Sequence, residues 1–581
     1  MTDASATPPL PTLEEMQDMT WVIGRAQQMM IEHSLKFTPG GDSSTTNPLN
    51  AFPGFGEGHS LAKATANFWS ESLSLWQRFM SPLSAPASPV LPNNDRRFSA
   101  PEWAAHPLFD MVRQSYLMIS DQMLKAADTI EGVDQAQKDK INFATRTMVE
   151  AMSPANFIFT NPVVLQKTIE TKGQNLLKGL QHMLTDLEKG QLTHTDPNAF
   201  EVGRNIAITP GKIIHETPLY QLIHYAPTTP DVLATPLVIF PPWINRFYIL
   251  DLNPEKSFIK WVVEAGVSVF IVSWKSADAS MKDVIWDDYI IGGQIDAIDT
   301  VRNLLGVNDV HTIGYCVAGT TLAATLALLK ARGQAGKVKS ATFFTAQVDF
   351  EKAGEMKIFI DDEQFKMIES LSGEGFLDGR VMAATFNLLR GRDLIWSYVV
   401  NNYLLGADYP PFDLLHWNGD TTNLPAKWHQ AYLKDLYRDN RLATPGSMVV
   451  DGVPIDLRTV TTPCYIQAGR DDHIAPAQSV WKIMDHFAGP MQFILAGSGH
   501  IAGVVNPPSL GKYQYWLNEE ATSFDDFVEG ATETKGSWWP HWIEWLRRQG
   551  DETTPAKGAR IPGQGALKAI EDAPGRYAKS R

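Results

Sequence analysis

The chain has 581 residues, 50 basic against 65 acidic side chains, a formal charge of −15 and 44% hydrophobic content. A charged fraction of 20% with 10% aromatics excludes wholesale disorder, and the acidic balance excludes nonspecific nucleic-acid binding, which needs a basic face. Only Cys316 and Cys464 are cysteines, which excludes a disulfide framework and makes a reducing cytoplasm the expected compartment. The first ten residues are small, polar and proline-rich, with no basic segment followed by an apolar one, so no signal peptide is expected. No apolar run reaches the ~18 residues of a membrane span. Thr12 with Glu15 reads as a capping box, and Leu13, Met16, Met19, Ile23, Ala26 and Met30 then recur at helical spacing. A second amphipathic segment carries Phe68, Trp69, Leu75, Trp76, Phe79 and Met80, and residues 81–93 read as a proline-rich linker. From about Pro101 to Lys189 the pattern is helical again, with a boundary at Asn161-Pro162. Residues 1–205 are therefore expected to form an all-helical N-terminal region. Its methionine and aromatic stripes suit packing, or docking on another chain or an apolar surface.

From about residue 206 the texture changes to short β-rich runs between helices. Leu237–Phe240, Val267–Ser273, His311–Gly314, Ser340–Thr345, Cys464–Ala468 and Met491–Ala496 read as strands. Their unbroken apolar character suits strands buried on both faces of a parallel sheet. Helical segments at Met281–Leu305 and Thr320–Arg332 lie between them, which points to an open α/β sheet over residues 206–581. Residues 350–440 break the alternation with a helical, aromatic-rich insertion that reads as a cap over the strand ends. Trp538, Trp539, Trp542 and Trp545 around Pro540 predict a helix packed on the sheet with proline in its first turn.

The sharpest chemical signal is Gly314-Tyr315-Cys316-Val317-Ala318-Gly319, set between a strand and an Ala- and Leu-rich helix. A strand-to-helix turn of this kind forces strained dihedrals on its central residue and needs small neighbours. Cys316 would sit at a helix N-terminus, where free N–H groups and the helix dipole favour a thiolate and later an oxyanion. Two further strands end in chemistry-bearing turns, Gly469-Arg470-Asp471-Asp472-His473 and Gly497-Ser498-Gly499-His500. The order nucleophile, acid, histidine, each just after a strand, is that of an α/β hydrolase. The acid is Asp471 or Asp472, since neighbours on an extended chain point opposite ways. His473 is a candidate second pocket histidine, and Arg390, Arg392 and Arg246 are candidates for pairing with phosphates. No metal is expected, for neither H-E-x-x-H nor paired C-x-x-C occurs, and no cofactor is implied.

Beyond the triad order, the sequence resembles a class I, single-subunit polyhydroxyalkanoate synthase from roughly Asp95 to Tyr577. The matching stretches are Pro241–Leu252, the Gly-Tyr-Cys elbow, Phe412–Asn418, Asp472-His473-Ile474 and Gly499–Gly503. The resemblance implies Cys316 as nucleophile, Asp472 as acid and His500 as base. It implies that the 350–440 insertion is a cap, that the enzyme dimerises, and that it works in the cytoplasm at the surface of a polyester granule. The substrate it implies is a short-chain 3-hydroxyacyl-CoA, polymerised with CoA release. In that chemistry the oxyanion would be held by the Val317 N–H and one from the Trp243-Ile244 loop. His473, Trp417, Asn245 and Arg390 would be substrate contacts, and either His500 or Asp472 would activate the 3-hydroxyl. One departure is Ala318, where the family usually has glycine. Two other readings predict different products: a cysteine-type thioesterase or dienelactone-hydrolase-like enzyme with the same triad, and a non-catalytic granule scaffold.

Overall fold

The computed structural model describes residues 25, 28, 29 and 95–580. Apart from those first three residues, which are helical, the patterns read at 12–30, 68–80 and 81–93 lie outside the described residues. Two compact units emerge. One comprises the described residues up to Asp196 together with Arg380–Pro410; the other comprises Pro197–Gly379 together with Pro411–Arg581. None of the described helices is long and apolar enough to cross a membrane.

The first unit is helical, with α1 (Pro107–Asp128), α2 (Gln135–Ala151), α3 (Pro162–Glu170) and α4 (Gln174–Lys189). Local chemistry fixes their starts. Asp134 and Gln137 form a reciprocal capping box on α2. The boundary expected at Asn161-Pro162 is the start of α3: the Asn161 side chain accepts from the Val163 and Val164 N–H groups while Pro162 occupies the first turn. Phe98, Trp103, Val112 and Ala155 form a small core. The 380–410 segment docks on α4, where Asn175 donates to the Leu404 carbonyl at 2.7 Å and the Tyr403 hydroxyl to buried Asp186 at 2.6 Å. Gly179 permits this approach, since a Cβ there would collide with the Tyr403 carbonyl.

The second unit is built on an eleven-stranded sheet: β1 (Gly211–Glu216), β2 (Tyr220–Tyr225), β3 (Leu237–Phe240), β4 (Val269–Trp274), β5 (Val310–Tyr315), β6 (Val338–Phe344), β7 (Cys464–Gly469), β8 (Met491–Ala496), β9 (Gln514–Leu517), β10 (Thr532–Lys535) and β11 (Glu571–Asp572). Its order is β10-β9-β8-β7-β6-β5-β3-β4-β2-β1-β11. The six strands expected from their apolar runs are β3 to β8, and they pair in parallel throughout. All of β3, β4, β5 and β7 are buried along their length, as strands covered on both faces must be. The antiparallel margins were not expected, because β1 and β2 read Gly-Lys-Ile-Ile-His-Glu and Tyr-Gln-Leu-Ile-His-Tyr, which dilute the apolar signal with polar residues.

Helices α5 (Asp296–Leu305), α6 (Val317–Ala331), α7 (Ala477–His486) and α8 (Trp539–Arg548) accompany the sheet. The helix expected from Met281 is shorter: its regular part is α5, preceded by a π-helical stretch at Asp288–Ile295. That stretch contains Gly293, where a Cβ would lie 2.8 Å from the Trp274 ring. The tryptophan cluster forms α8 as expected, with Pro540 in its first turn. Its indoles also serve as donors, Trp542 to Thr342 Oγ1 at 3.0 Å, Trp538 to the Gly503 carbonyl at 2.7 Å and Trp539 to the Val504 carbonyl at 2.9 Å. Buried indoles need such partners, and here two of the partners belong to the loop that follows His500.

Candidate active site

Cys316 ends β5 and caps α6 with φ 53° and ψ −127°. A non-glycine residue in this region costs on the order of 1–3 kcal/mol, so the surroundings must hold it there. They do so through backbone bonds and close approach. The Cys316 N–H donates to the Phe344 carbonyl of β6 at 2.9 Å, and its carbonyl accepts from the Gly319 and Thr320 N–H groups. A Cβ on Gly314 would lie 2.6 Å from Gly319 Cα, and one on Gly319 would lie 2.4 Å from the Ala346 Cβ. The spacing Gly-x-Cys-x-x-Gly is therefore a steric requirement of this turn. Ala318, at the position where glycine is usual, is fully buried, and its carbonyl accepts from Gln294 Nε2 at 2.8 Å.

The acid comes from the turn after β7. Asp472 Oδ1 accepts the N–H groups of Ile474 and Ala475 at 2.8 and 2.9 Å, and Oδ2 meets His500 Nδ1 at 2.7 Å. Its side chain is wholly enclosed. Asp471, the alternative left open by the residues alone, is exposed and pairs with Arg470 at 3.0 Å. His500 follows β8, and its carbonyl accepts the Tyr315 hydroxyl at 2.9 Å. Burial by itself would depress the His500 pKa. The Asp472 carboxylate and the hydrogen-bonded Cys316 sulfur outweigh it and push the imidazole up to about 10. The ring therefore stands as a strengthened base between a carboxylate on Nδ1 and the sulfur.

Val317 is buried at the first position of α6, and Ile244 is half-buried in the loop after β3. That loop is braced by the second half of the insertion: Thr422 Oγ1 donates to the Trp243 carbonyl at 2.7 Å, and Trp417 Nε1 to the Arg246 carbonyl at 2.7 Å. Trp417 is thus buried against the loop, as part of the large core that Cys316 borders. Asn245 Oδ1 accepts the Arg246 N–H at 2.8 Å, and Asn245 bridges Thr421. His473 is half-buried beside the acid. Arg390 belongs to the helical unit and pairs with Asp393 at 2.8 Å, and Arg392 lies there too, 3.8 Å from Asp95. Arg246 corrects the expectation of a phosphate contact, because it is 3% exposed and its guanidinium is spent on internal carbonyls.

The residue-by-residue reading missed Tyr432 and Tyr437. Both are buried, their hydroxyls lie 3.3 Å apart, and burial holds both above the usual tyrosine range. Trp428 stacks on Tyr432 with centroids 5.1 Å apart, and Trp243 stacks on Tyr289 at 3.9 Å. Trp428, Tyr432 and Tyr437 all come from the insertion, so this part of it carries a packed aromatic cluster. Only the aromatic richness of the insertion signalled this; its register against Cys316 is a tertiary property. Among the described residues, no group of three or more His, Cys, Asp or Glu gathers at metal-holding spacing.

Residues 94–262 match the model of the poly-beta-hydroxybutyrate polymerase N-terminus, and residues 243–507 match the alpha/beta hydrolase fold. The chain is 45% identical over 530 residues to a poly(3-hydroxyalkanoate) polymerase of Methylorubrum extorquens, covering 90% of this chain and 86% of the relative. The chain belongs to the poly(3-hydroxyalkanoate) polymerase family. Other members include the polymerase subunit of Rhizobium meliloti, 44% identical over 89% of this chain and 85% of its own length. The Cupriavidus necator polymerase subunit is 41% identical over 90% of this chain and 88% of its own. In this polymerase family member, then, the α/β-hydrolase sheet supplies the strand ends at which Cys316, Asp472 and His500 stand.

Proposed function

We propose that the chain is a class I enzyme that polymerises short-chain (R)-3-hydroxyacyl-CoA into polyhydroxyalkanoate, releasing CoA, through an acyl thioester on Cys316. The observation that carries this reading is the continuous link from a strained, helix-capping Cys316 through His500 to the enclosed Asp472 carboxylate at 2.7 Å. His500 takes the Cys316 proton as the sulfur attacks the thioester carbonyl. The Val317 and Ile244 N–H groups are assigned to the resulting oxyanion. As the tetrahedral adduct collapses, His500 gives its proton to the departing CoA sulfur. Having given up that proton, the neutral ring is ready to accept another. Attack by the 3-hydroxyl of the next acyl unit on the Cys316 thioester carbonyl then forms the oxoester, and His500 takes the hydroxyl proton. The broken C–S bond returns the sulfur to Cys316, to which His500 gives that proton back. Asp472 is assigned the supporting role because all its acceptor contacts are already engaged inside the protein.

Thioester-to-thioester transfer keeps the acyl group activated, and ester formation is then downhill. Hydrolysis competes unless water is excluded, a task suited to the aromatic wall of Trp428, Tyr432 and Tyr437. The enzyme is proposed to act in the cytoplasm as a homodimer at a polyester granule. Incubation with 3-hydroxybutyryl-CoA, following free CoA and polymer together, tests the assignment. CoA with polymer is the expected outcome. CoA with free 3-hydroxybutyrate would instead make the protein a hydrolase, and neither product would leave it a scaffold.

A further inference from the structure

The loop that offers the Ile244 N–H is held from a place remote in sequence. Arg246 Nη1 donates to the Tyr577 carbonyl at 2.9 Å and Nη2 to the Ser580 carbonyl at 2.7 Å, and Nε lies 3.4 Å from Asp420 Oδ1. The other Asp420 oxygen accepts the Tyr248 hydroxyl at 2.6 Å. A guanidinium presents donors in a fixed fork, so two carbonyls one turn apart fix its position, and the Asp420 carboxylate nearby balances its charge.

The C-terminal turn that supplies the carbonyls is itself anchored. Ser580 and Lys579 N–H groups bond the Arg576 carbonyl, each at 3.0 Å. The Tyr577 N–H donates to Gln221 Oε1 at 3.2 Å and its hydroxyl to the Thr217 carbonyl at 2.9 Å, both at the β1–β2 hairpin. Ala578 is buried. Arg576 pairs with Glu571 at 2.9 Å and with Glu216.

We propose that the C-terminal turn Arg576–Ser580 is a positioning element for acyl transfer, acting through Arg246 to hold the Trp243–Asn245 backbone at the oxyanion. This rests on the assignment of Ile244 to the oxyanion. Arg246 is a positioning residue: its side chain reaches the tail and Asp420, while its backbone adjoins the donor peptide. The insertion braces the same loop through Trp417 and Thr422, so the tail completes a two-sided grip.

The test compares full-length protein with a chain ending at Gly575 and with Arg246→Lys, which keeps the charge but loses the planar fork that reaches the two carbonyls from separate nitrogens. Each is measured for thermal unfolding, Cys316 alkylation by iodoacetamide, and kcat and KM for CoA release from 3-hydroxybutyryl-CoA. Alkylation needs the sulfur and His500 but no oxyanion donor. The expected result is alkylation within about twofold of wild type, KM within about threefold, and kcat down ~100-fold, the scale of losing one oxyanion donor. Should the shortened chain fail to fold, Arg246→Lys decides. Unchanged kcat in the folded variants, or alkylation falling in step with kcat, would overturn the proposal. Ile244→Pro, which deletes the N–H itself, separates the two layers. If it loses kcat while the tail and Arg246 variants keep theirs, the oxyanion assignment survives and the tail's role falls; if it keeps kcat, the assignment falls and the proposal with it.

Discussion

Asp472→Asn isolates the electrostatic part of the triad. The substitution keeps Oδ1, and with it the two bonds from the Ile474 and Ala475 N–H groups at 2.8 and 2.9 Å. It places an amide NH₂ where Oδ2 meets His500 Nδ1 at 2.7 Å. Two donors cannot share that contact, so the ring must present a bare Nδ1 and move its proton to Nε2. The carboxylate that raises the imidazole pKa is gone as well, so the ring becomes a weaker base. The lost charged hydrogen bond is worth roughly 1.5–3 kcal/mol of stability. The catalytic loss is larger: a wrong-tautomer histidine costs about 10⁴ in kcat, or about 5 kcal/mol of barrier. Rapid-quench measurement of the first CoA released per Cys316, with circular dichroism to establish folding, reads both effects. A folded Asp472→Asn protein acylating within about tenfold of wild type would refute the reasoning, because the carboxylate would then have no hold on the proton.

Cys316→Ser should fold and lose polymer formation by at least ~1000-fold, since the members of a triad act as a unit. Cys464→Ser, at a fully buried thiol whose Sγ donates to the Thr462 carbonyl at 3.1 Å, should keep most activity; comparing polymer yields checks the pair. Gly319→Ala forces a methyl to within 2.4 Å of the Ala346 Cβ, so α6 must shift, at a cost of about 1–3 kcal/mol by denaturant titration with a clear loss of acylation rate. Stability should also follow His500. Its folded pKa is raised from 6.5 to about 10, so its contribution is fully present below pH 6.5 and is lost as pH rises through about 10. Urea unfolding across that range should show wild type declining more steeply than Asp472→Asn, and parallel curves would contradict it.

Much of the catalytic unit is legible in the sequence because the physics there is local. Strands buried on both faces need unbroken apolar runs, and β3 to β8 all have them. The elbow needs glycines at 314 and 319 because backbone meets backbone there. The Trp538–Trp545 cluster reads as a sheet-packed helix from its spacing alone. What escapes is set by tertiary partners. The hairpin β1–β2 carries His215, His224 and Gln221, whose burial depends on neighbours far along the chain. Choosing Asp472 over Asp471 needed the family resemblance, because both are acids in the same turn and only the fold turns one toward His500. Tyr432 and Tyr437 lie over 110 residues from Cys316, and no pattern links them. Arg246 reads as a free cation in the sequence because its carbonyl partners, being backbone, leave no trace in composition.

The helical unit contains two separated stretches of chain, and this sets the order in which the protein can be assembled during synthesis. Asn175, Gly179 and Asp186 on α4 await Leu404 and Tyr403, which leave the ribosome more than 200 residues later. At the usual ~5–20 residues per second, the first helices must wait on the order of ten seconds or more for the strand of chain that covers them. By then β1 to β6 and the cysteine have already emerged. Helices α1 to α4 are thus made well before the segment that closes them, and until then α4 presents an unfinished face on which a chaperone has time to act.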